Sequence, residues 1–163
     1  LVFYLIKVDQ SGCFIMFRGS SYHTIDAKGR IIIPARFRDL IKGEGAGGVM
    51  LSRLDGALVA YPFEAWHAIE ERILALAEKS ETMRRFRRVF IGGAFACECD
   101  RQERILVPPS LREYAQLERD IVLAGVLDHF EIWSRENWER ENLVMEKDMK
   151  QESVRNEIAR LGL

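Results

Sequence analysis

Two short segments of this 163-residue chain have residue types and a spacing suited to gripping another molecule. They are Asp26-Ala-Lys28-Gly29-Arg30-Ile-Ile-Ile-Pro34 and, 74 residues later, Asp100-Arg101-Gln-Glu103-Arg104-Ile-Leu-Val-Pro108. Each sets an aspartate four residues ahead of an arginine and then runs through an apolar strand to a proline. A guanidinium offers its N–H donors in a rigid fork that can hold guanine O6 and N7 together or straddle phosphate oxygens, which a lysine ammonium does not copy. Arg30 and Arg104 are therefore the candidate DNA readers. An aspartate across the turn can hold the arginine or accept turn amides, so Asp26, Gly29 and Asp100 are read as turn-orienting residues. Taken singly, such a pair is more simply an ion pair that holds a turn and is worth little. Its recurrence with the same flanks moves the reading toward DNA.

Local charge supports that reading where net charge does not. The chain has 24 basic and 25 acidic residues, yet residues 16–42 carry six basic side chains against two acidic ones. Affinity for nucleic acid follows basic residues clustered on one face, not the sum over the chain. Lys28, Arg36 and Arg38 are read as phosphate contacts that fix position without reading sequence, and Arg101 joins the DNA-binding set from the second copy.

The elements that must position these residues also recur. Phe37, Arg38, Leu40 and Ile41 align with Leu111, Arg112, Tyr114 and Ala115, a short amphipathic helix present twice. Val49 to Tyr61 aligns with Ile121 to Trp133 at an offset of 72, and Trp66 with Trp138. Each unit of about forty-five residues reads as strand, tight turn, strand, short helix, loop, strand, turn, strand. Pro34 suits the first turn of its helix, and Asp55-Gly56 signals a hairpin, with Leu127-Asp128-His129 in the matching place. So small a unit cannot bury its faces alone, and two copies in one chain can interleave as a pseudo-twofold dimer. Between them, Phe63, Trp66, Ile69, Ile73 and Ala77, then Met83, Phe86 and Phe90 behind a Ser80 N-cap, predict a helical hairpin. Its second helix carries Arg84, Arg85, Arg87 and Arg88, a stripe read as solvated surface or an ion-pairing interface. The expected division is an extension at 1–15, a domain at 20–65, a helical linker at 66–93, a second domain at 94–137 and a C-terminal helix at 138–163.

The string Met16-Phe-Arg-Gly-x-x-x-His23-Thr-Ile-Asp26-x-Lys-Gly-Arg30-Ile-x-Ile-Pro34-x-x-Phe37-Arg38, its second Asp-x-x-x-Arg copy and the intervening arginine-rich helix resemble the MraZ family. The resemblance spans residues 16–138. It implies an α+β, β-rich fold of two AbrB-like swapped-hairpin repeats forming a pseudo-twofold barrel, with peripheral helices. It also implies a bacterial transcriptional regulator of the division and cell-wall gene cluster, cytoplasmic and nucleoid-associated. Such a protein binds short direct repeats in promoter double-stranded DNA as a ring-shaped homo-oligomer. One position departs from the family pattern, which favours glycine before the arginine in both turns: Gly29 is present in the first, Glu103 in the second. Glutamate does not reach positive φ freely, so the second turn is expected to differ in shape and the first copy to lead in DNA contact.

Other classes fare worse. Gly43-Glu-Gly45-Ala-Gly-Gly48 satisfies G-x-G-x-x-G formally, but it follows a short helix and leads into a strand, the reverse of a dinucleotide site, and reads as a flexible loop. His23, His67 and His129 have no zinc-ligand spacing, and no nucleophile elbow or phosphate loop occurs. No catalytic residue, metal, cofactor or small-molecule substrate is expected. Cys13, Cys97 and Cys99 are an odd set; Cys97 and Cys99 share a strand face and read as small buried residues. Residues 1–15 fall short of the roughly 20 apolar residues that cross a bilayer and read as a non-native or disordered extension, so no membrane partner is expected. The competing binding class is an antitoxin-like module with the same fold that holds both an operator and a protein partner.

Overall fold

The computed structural model describes residues 16–42, 47–76 and 80–163. The extension at 1–15 with Cys13, residues 43–46 of the glycine run, and Ala77 lie outside the described residues. The first unit comprises β1 (Ser20–Thr24), β2 (Arg30–Ile32), α1 (Ala35–Ile41), β3 (Gly48–Leu54) and β4 (Ala57–Pro62), followed by α2 (Phe63–Ala75) and α3 (Glu81–Phe90). The second repeats the order as β5 (Phe95–Glu98), β6 (Arg104–Leu106), α4 (Pro109–Tyr114), β7 (Asp120–Val126) and β8 (His129–Ser134). Two helices close the chain, α5 (Arg135–Asp148) and α6 (Glu152–Ala159), where the sequence suggested a single one.

Local chemistry explains the breaks. Pro34 and Pro108, at φ −58° and −57° with extended ψ, are the caps from which α1 and α4 start, one residue earlier than the first-turn position expected of Pro34. Asp55 and Gly56 take φ 50° and 80°, the pair of left-handed residues that a two-residue hairpin needs to match strand twist. Ser80 caps α3 by accepting the backbone N–H of Met83.

Strand pairing crosses between the units. β1 runs antiparallel to β7 with Ser20 opposite Ala124, β5 to β3 with Glu98 opposite Gly48, and β4 to β8 with Leu58 opposite Ile132. With the hairpins β3–β4 and β7–β8 this makes one antiparallel sheet in the order β1-β7-β8-β4-β3-β5. It is an open sheet with β1 and β5 as edges, not the closed barrel expected. The reason lies in β2 and β6. Each has three residues before its proline region, and apart from an isolated bridge between Ile25 and Ile31 they pair with each other as a separate ribbon, so they do not bridge the two edges.

Both units feed one core. Phe17, Phe37 and Phe130 meet at centroid distances of 5.1–5.5 Å, surrounded by Ile31, Ile33, Leu51, Ile105, Val107 and Leu123, all fully buried. At roughly 1.5–3 kcal/mol for each buried aliphatic or aromatic side chain, this shared core fixes the ribbon against the sheet. Cys97 and Cys99 are buried thiols of that core, and burial pushes Cys97 up to about 11. α2 and α3 meet through Trp66 stacked on Phe90 at 5.2 Å. The expected apolar stripe of α3 is buried only at Phe90; Met83 and Phe86 stay exposed. Among the described residues no helix is long and apolar enough to cross a membrane.

Candidate nucleic-acid interface

Each Asp-x-x-x-Arg turn is closed by its own aspartate. Asp26 Oδ1 accepts the backbone N–H groups of Lys28 (3.0 Å) and Arg30 (2.9 Å), while Oδ2 accepts Arg30 Nε (2.7 Å) and Nη2 (2.6 Å). In the second turn Asp100 Oδ1 accepts Gln102 N–H (2.8 Å) and Arg104 N–H (3.0 Å), and Oδ2 accepts Arg104 Nε (2.8 Å) and Nη2 (2.7 Å). The main chain closes identically: the Gly29 and Glu103 N–H groups donate to Asp26 O and Asp100 O at 2.9 and 3.0 Å. These donors hold both carboxyls below the ordinary aspartate range. The Arg30 backbone N–H leads for Asp26; for Asp100 the Arg104 side chain leads and brings it to about 2.

The two turns therefore have one shape, which corrects the expectation that Glu103 would change the second. Glu103 takes φ 60° where Gly29 takes 84°. The left-handed conformation costs a non-glycine residue on the order of 1 kcal/mol, and the hydrogen bonds converging on Asp100 hold it there. Nor does the Glu103 carboxylate pair with Arg104; it lies 4.0 Å from Lys42 Nζ.

The strands carry these arginines onto a common surface. In the β2–β6 ribbon Arg30 stands opposite Leu106, Ile31 opposite Ile105, and Ile32 opposite Arg104. Residues opposite one another in an antiparallel pair share a face, and faces alternate along each strand. Ile31 and Ile105 point into the core, so Arg30, Ile32, Arg104 and Leu106 together form the outer face. The aspartate occupies the Nε–Nη2 edge of each guanidinium, leaving the Nη1–Nη2 end for a second partner such as a guanine edge or a phosphate.

The remaining predicted residues are placed less uniformly. Lys28 and Arg101 are exposed in the turns that lead into opposite ends of the ribbon. Arg36 donates to Ser21 Oγ (2.7 Å), which lies 2.6 Å from His23 Nε2, and stands over the Phe37 ring. Burial, with the Arg36 charge second, lowers the His23 pKa. Arg38 donates Nε to the Ile33 carbonyl (2.9 Å). Both thus make one hydrogen bond within the protein, through Arg36 Nη2 and Arg38 Nε. One residue escaped sequence reasoning: Arg112, from α4 of the second unit, lies against the first turn. A Cβ added at Gly29 would stand 2.8 Å from its Cζ and Nε. That Nε is buried with no hydrogen-bond partner among the described residues. The signal available was the 74-residue repeat, which puts Arg112 at the position of Arg38.

Fold and site together define a chain of two interleaved β-rich units that displays a pair of aspartate-braced arginines on a short β-ribbon. The chain belongs to the MraZ family, described as "MraZ protein, putative antitoxin-like", whose sequence pattern matches twice, over residues 16–89 and 90–161. It is similar to the transcriptional regulator MraZ of Desulforapulum autotrophicum, with 63% identity over 148 residues, 91% of this chain and 100% of that one. The regulator of the same name from Desulfosudis oleivorans is 53% identical over the same shares. That of Desulfitobacterium hafniense is 48% identical over 120 residues, 74% of this chain and 82% of its own.

Proposed function

We propose that this chain is a transcriptional regulator that binds double-stranded promoter DNA sequence-specifically, with Arg30 and Arg104 as base-reading residues. The observation that carries this is the ribbon face, where two arginines are held by Asp26 and Asp100 with one guanidinium end left open. A two-stranded ribbon fits the major groove, about 12 Å wide, and an arginine fork matches a guanine edge there. Lys28, Arg101 and Arg112 supply phosphate contacts around it, with Arg36 and Arg38 behind them in α1.

The family reading extends this in the same direction. Short direct repeats in the promoter of the division and cell-wall gene cluster are the target, and copies assemble into a ring whose many weak contacts add through avidity. The crossed pairing of β1 with β7 and β5 with β3 supports two AbrB-like swapped-hairpin domains, and the protein works in the cytoplasm at the nucleoid. The relatives' name, transcriptional regulator, supports the same role here.

The test is a salt-titrated gel shift on DNA upstream of the protein's own gene. Each bidentate guanine contact is worth about 1–3 kcal/mol, so Arg30→Ala weakens binding roughly ten- to hundredfold. Arg104→Ala weakens it less, because the first turn has Arg112 beside it and the second has Glu103. Unchanged affinity and salt slope for Arg30→Ala removes that residue from the site. Equal losses refute the lead of the first copy. A second reading, an antitoxin-like module holding an operator and a protein partner, is favoured by the family description. Stoichiometric capture of a small protein from native extract supports it, whereas a large homo-oligomer by light scattering supports the regulator.

A further inference from the structure

The outer face of the β2–β6 ribbon holds two aliphatic side chains as well as two arginines. Ile32 is 55% exposed and Leu106 56%, while the residues between them and the core, Ile31 and Ile105, are fully buried. The register makes each rung of the face a mixed pair, Arg30 with Leu106 and Ile32 with Arg104. Rungs two residues apart along a strand stand about 6.6–6.8 Å from each other. That is close to two base-pair steps at roughly 3.4 Å each. The face therefore repeats one arginine beside one aliphatic group at the spacing of a duplex, related by the pseudo-twofold axis that passes between Ile31 and Ile105.

We infer that Ile32 and Leu106 are specificity-determining residues that pack on the 5-methyl groups of thymines in the major groove, beside the bases held by Arg30 and Arg104. The inference rests on the proposed DNA binding and names what the same face reads besides guanine. Thymine is the base that presents an apolar group in the major groove, and branched aliphatic side chains match it. Charge argues for this occupant. Lys28 and Arg101 stand at the two ends of the ribbon, so a partner must be anionic at its rim and apolar between, which phosphates and thymine methyls supply together. The one carboxylate in the shallow cleft beside Ile32, Asp120, shares that cleft with Arg135.

The experiment uses the duplex upstream of the protein's own gene in two forms, one with thymidine and one with deoxyuridine throughout, which deletes the methyls and leaves Watson–Crick pairing intact. Wild type binds the thymidine duplex more tightly by about fourfold for each methyl contacted, the value of one buried CH₂ group. The double variant Ile32→Ala/Leu106→Ala binds both duplexes equally, at the wild-type deoxyuridine level, and Ile32→Val retains discrimination. Both side chains are half exposed, so the variants keep the fold, checked by their thermal unfolding. Equal binding of the two duplexes by wild type overturns the inference while leaving DNA binding in place, as does discrimination that survives in the double variant. A fall in oligomer mass of the double variant by light scattering assigns the pair to contacts between copies and also overturns it. Failure of wild type to bind either duplex above random competitor removes the underlying DNA reading itself.

Discussion

The Asp26–Arg30 and Asp100–Arg104 turns share their hydrogen bonds atom for atom, yet one is built on glycine and the other on glutamate at the left-handed position. Backbone conformation alone therefore does not explain Gly29, since Glu103 reaches the same region. What distinguishes the turns is the arginine that comes across from the other unit. Arg112 lies where a Gly29 side chain would be and its Nε has no partner among the described residues, whereas Arg38, its counterpart, donates Nε to the Ile33 carbonyl. At Gly29 the left-handed backbone and the Arg112 side chain from a distant helix both bear on the residue type.

Exchanging that residue breaks the comparison most sharply. Gly29→Ala sets a methyl group 2.8 Å from the Arg112 guanidinium and adds the left-handed penalty, and about 1–2 kcal/mol of stability is lost in denaturant unfolding. In an Arg112→Ala background the same substitution costs distinctly less, because only the backbone part remains. If the cost is equal in both backgrounds, the two residues are uncoupled and Gly29 is kept for its φ alone.

How much of this was legible in the sequence follows from which forces are local. The turn, its strand, the capping proline and the Asp55-Gly56 hairpin are set within a few residues, and the repeat made each visible twice. The contact between Arg112 and Gly29 depends on the two units exchanging strands, so the alignment of Arg112 with Arg38 named the residue without locating it. The open sheet was hidden for a related reason. Whether β2 and β6 join the edges or pair apart turns on strands of only three residues each, whose partners a repeat pattern does not encode. In α3, spacing put Met83 and Phe86 on the same stripe as Phe90, but Trp66 of α2 stacks on Phe90, and Phe86 reaches that cluster only by stacking on Phe90 while staying partly exposed.

Acid sharpens the likeness of the turns. Both aspartates have pKa values lowered on folding, so each contributes stability that is fully present above the unfolded value of 3.8 and is lost as pH falls through the folded value. For Asp100 that folded value is about 2, set first by the Arg104 side chain. Carboxyl titration by NMR is expected to give midpoints below 3.8 for both, and Arg104→Ala moves Asp100 up without moving Asp26. An Asp100 midpoint at 3.8 in the intact protein means the brace on Arg104 does not form in solution.

The smallest effect tests the second turn from the other side. Glu103→Gly removes the left-handed strain and also the 4.0 Å pairing with Lys42, which is partly exposed and worth a few tenths of a kcal/mol at most. Glycine gives back part of the gain by loosening the unfolded chain. The balance is a rise of about 0.5 kcal/mol, a degree or two or slightly more in melting temperature for a chain of this size. DNA affinity should rise with it, because an acid leaves the neighbourhood of Arg104. A variant that gains stability but not affinity would show that Glu103 faces away from the DNA, and the inequality of the two turns would then rest on Arg112 alone.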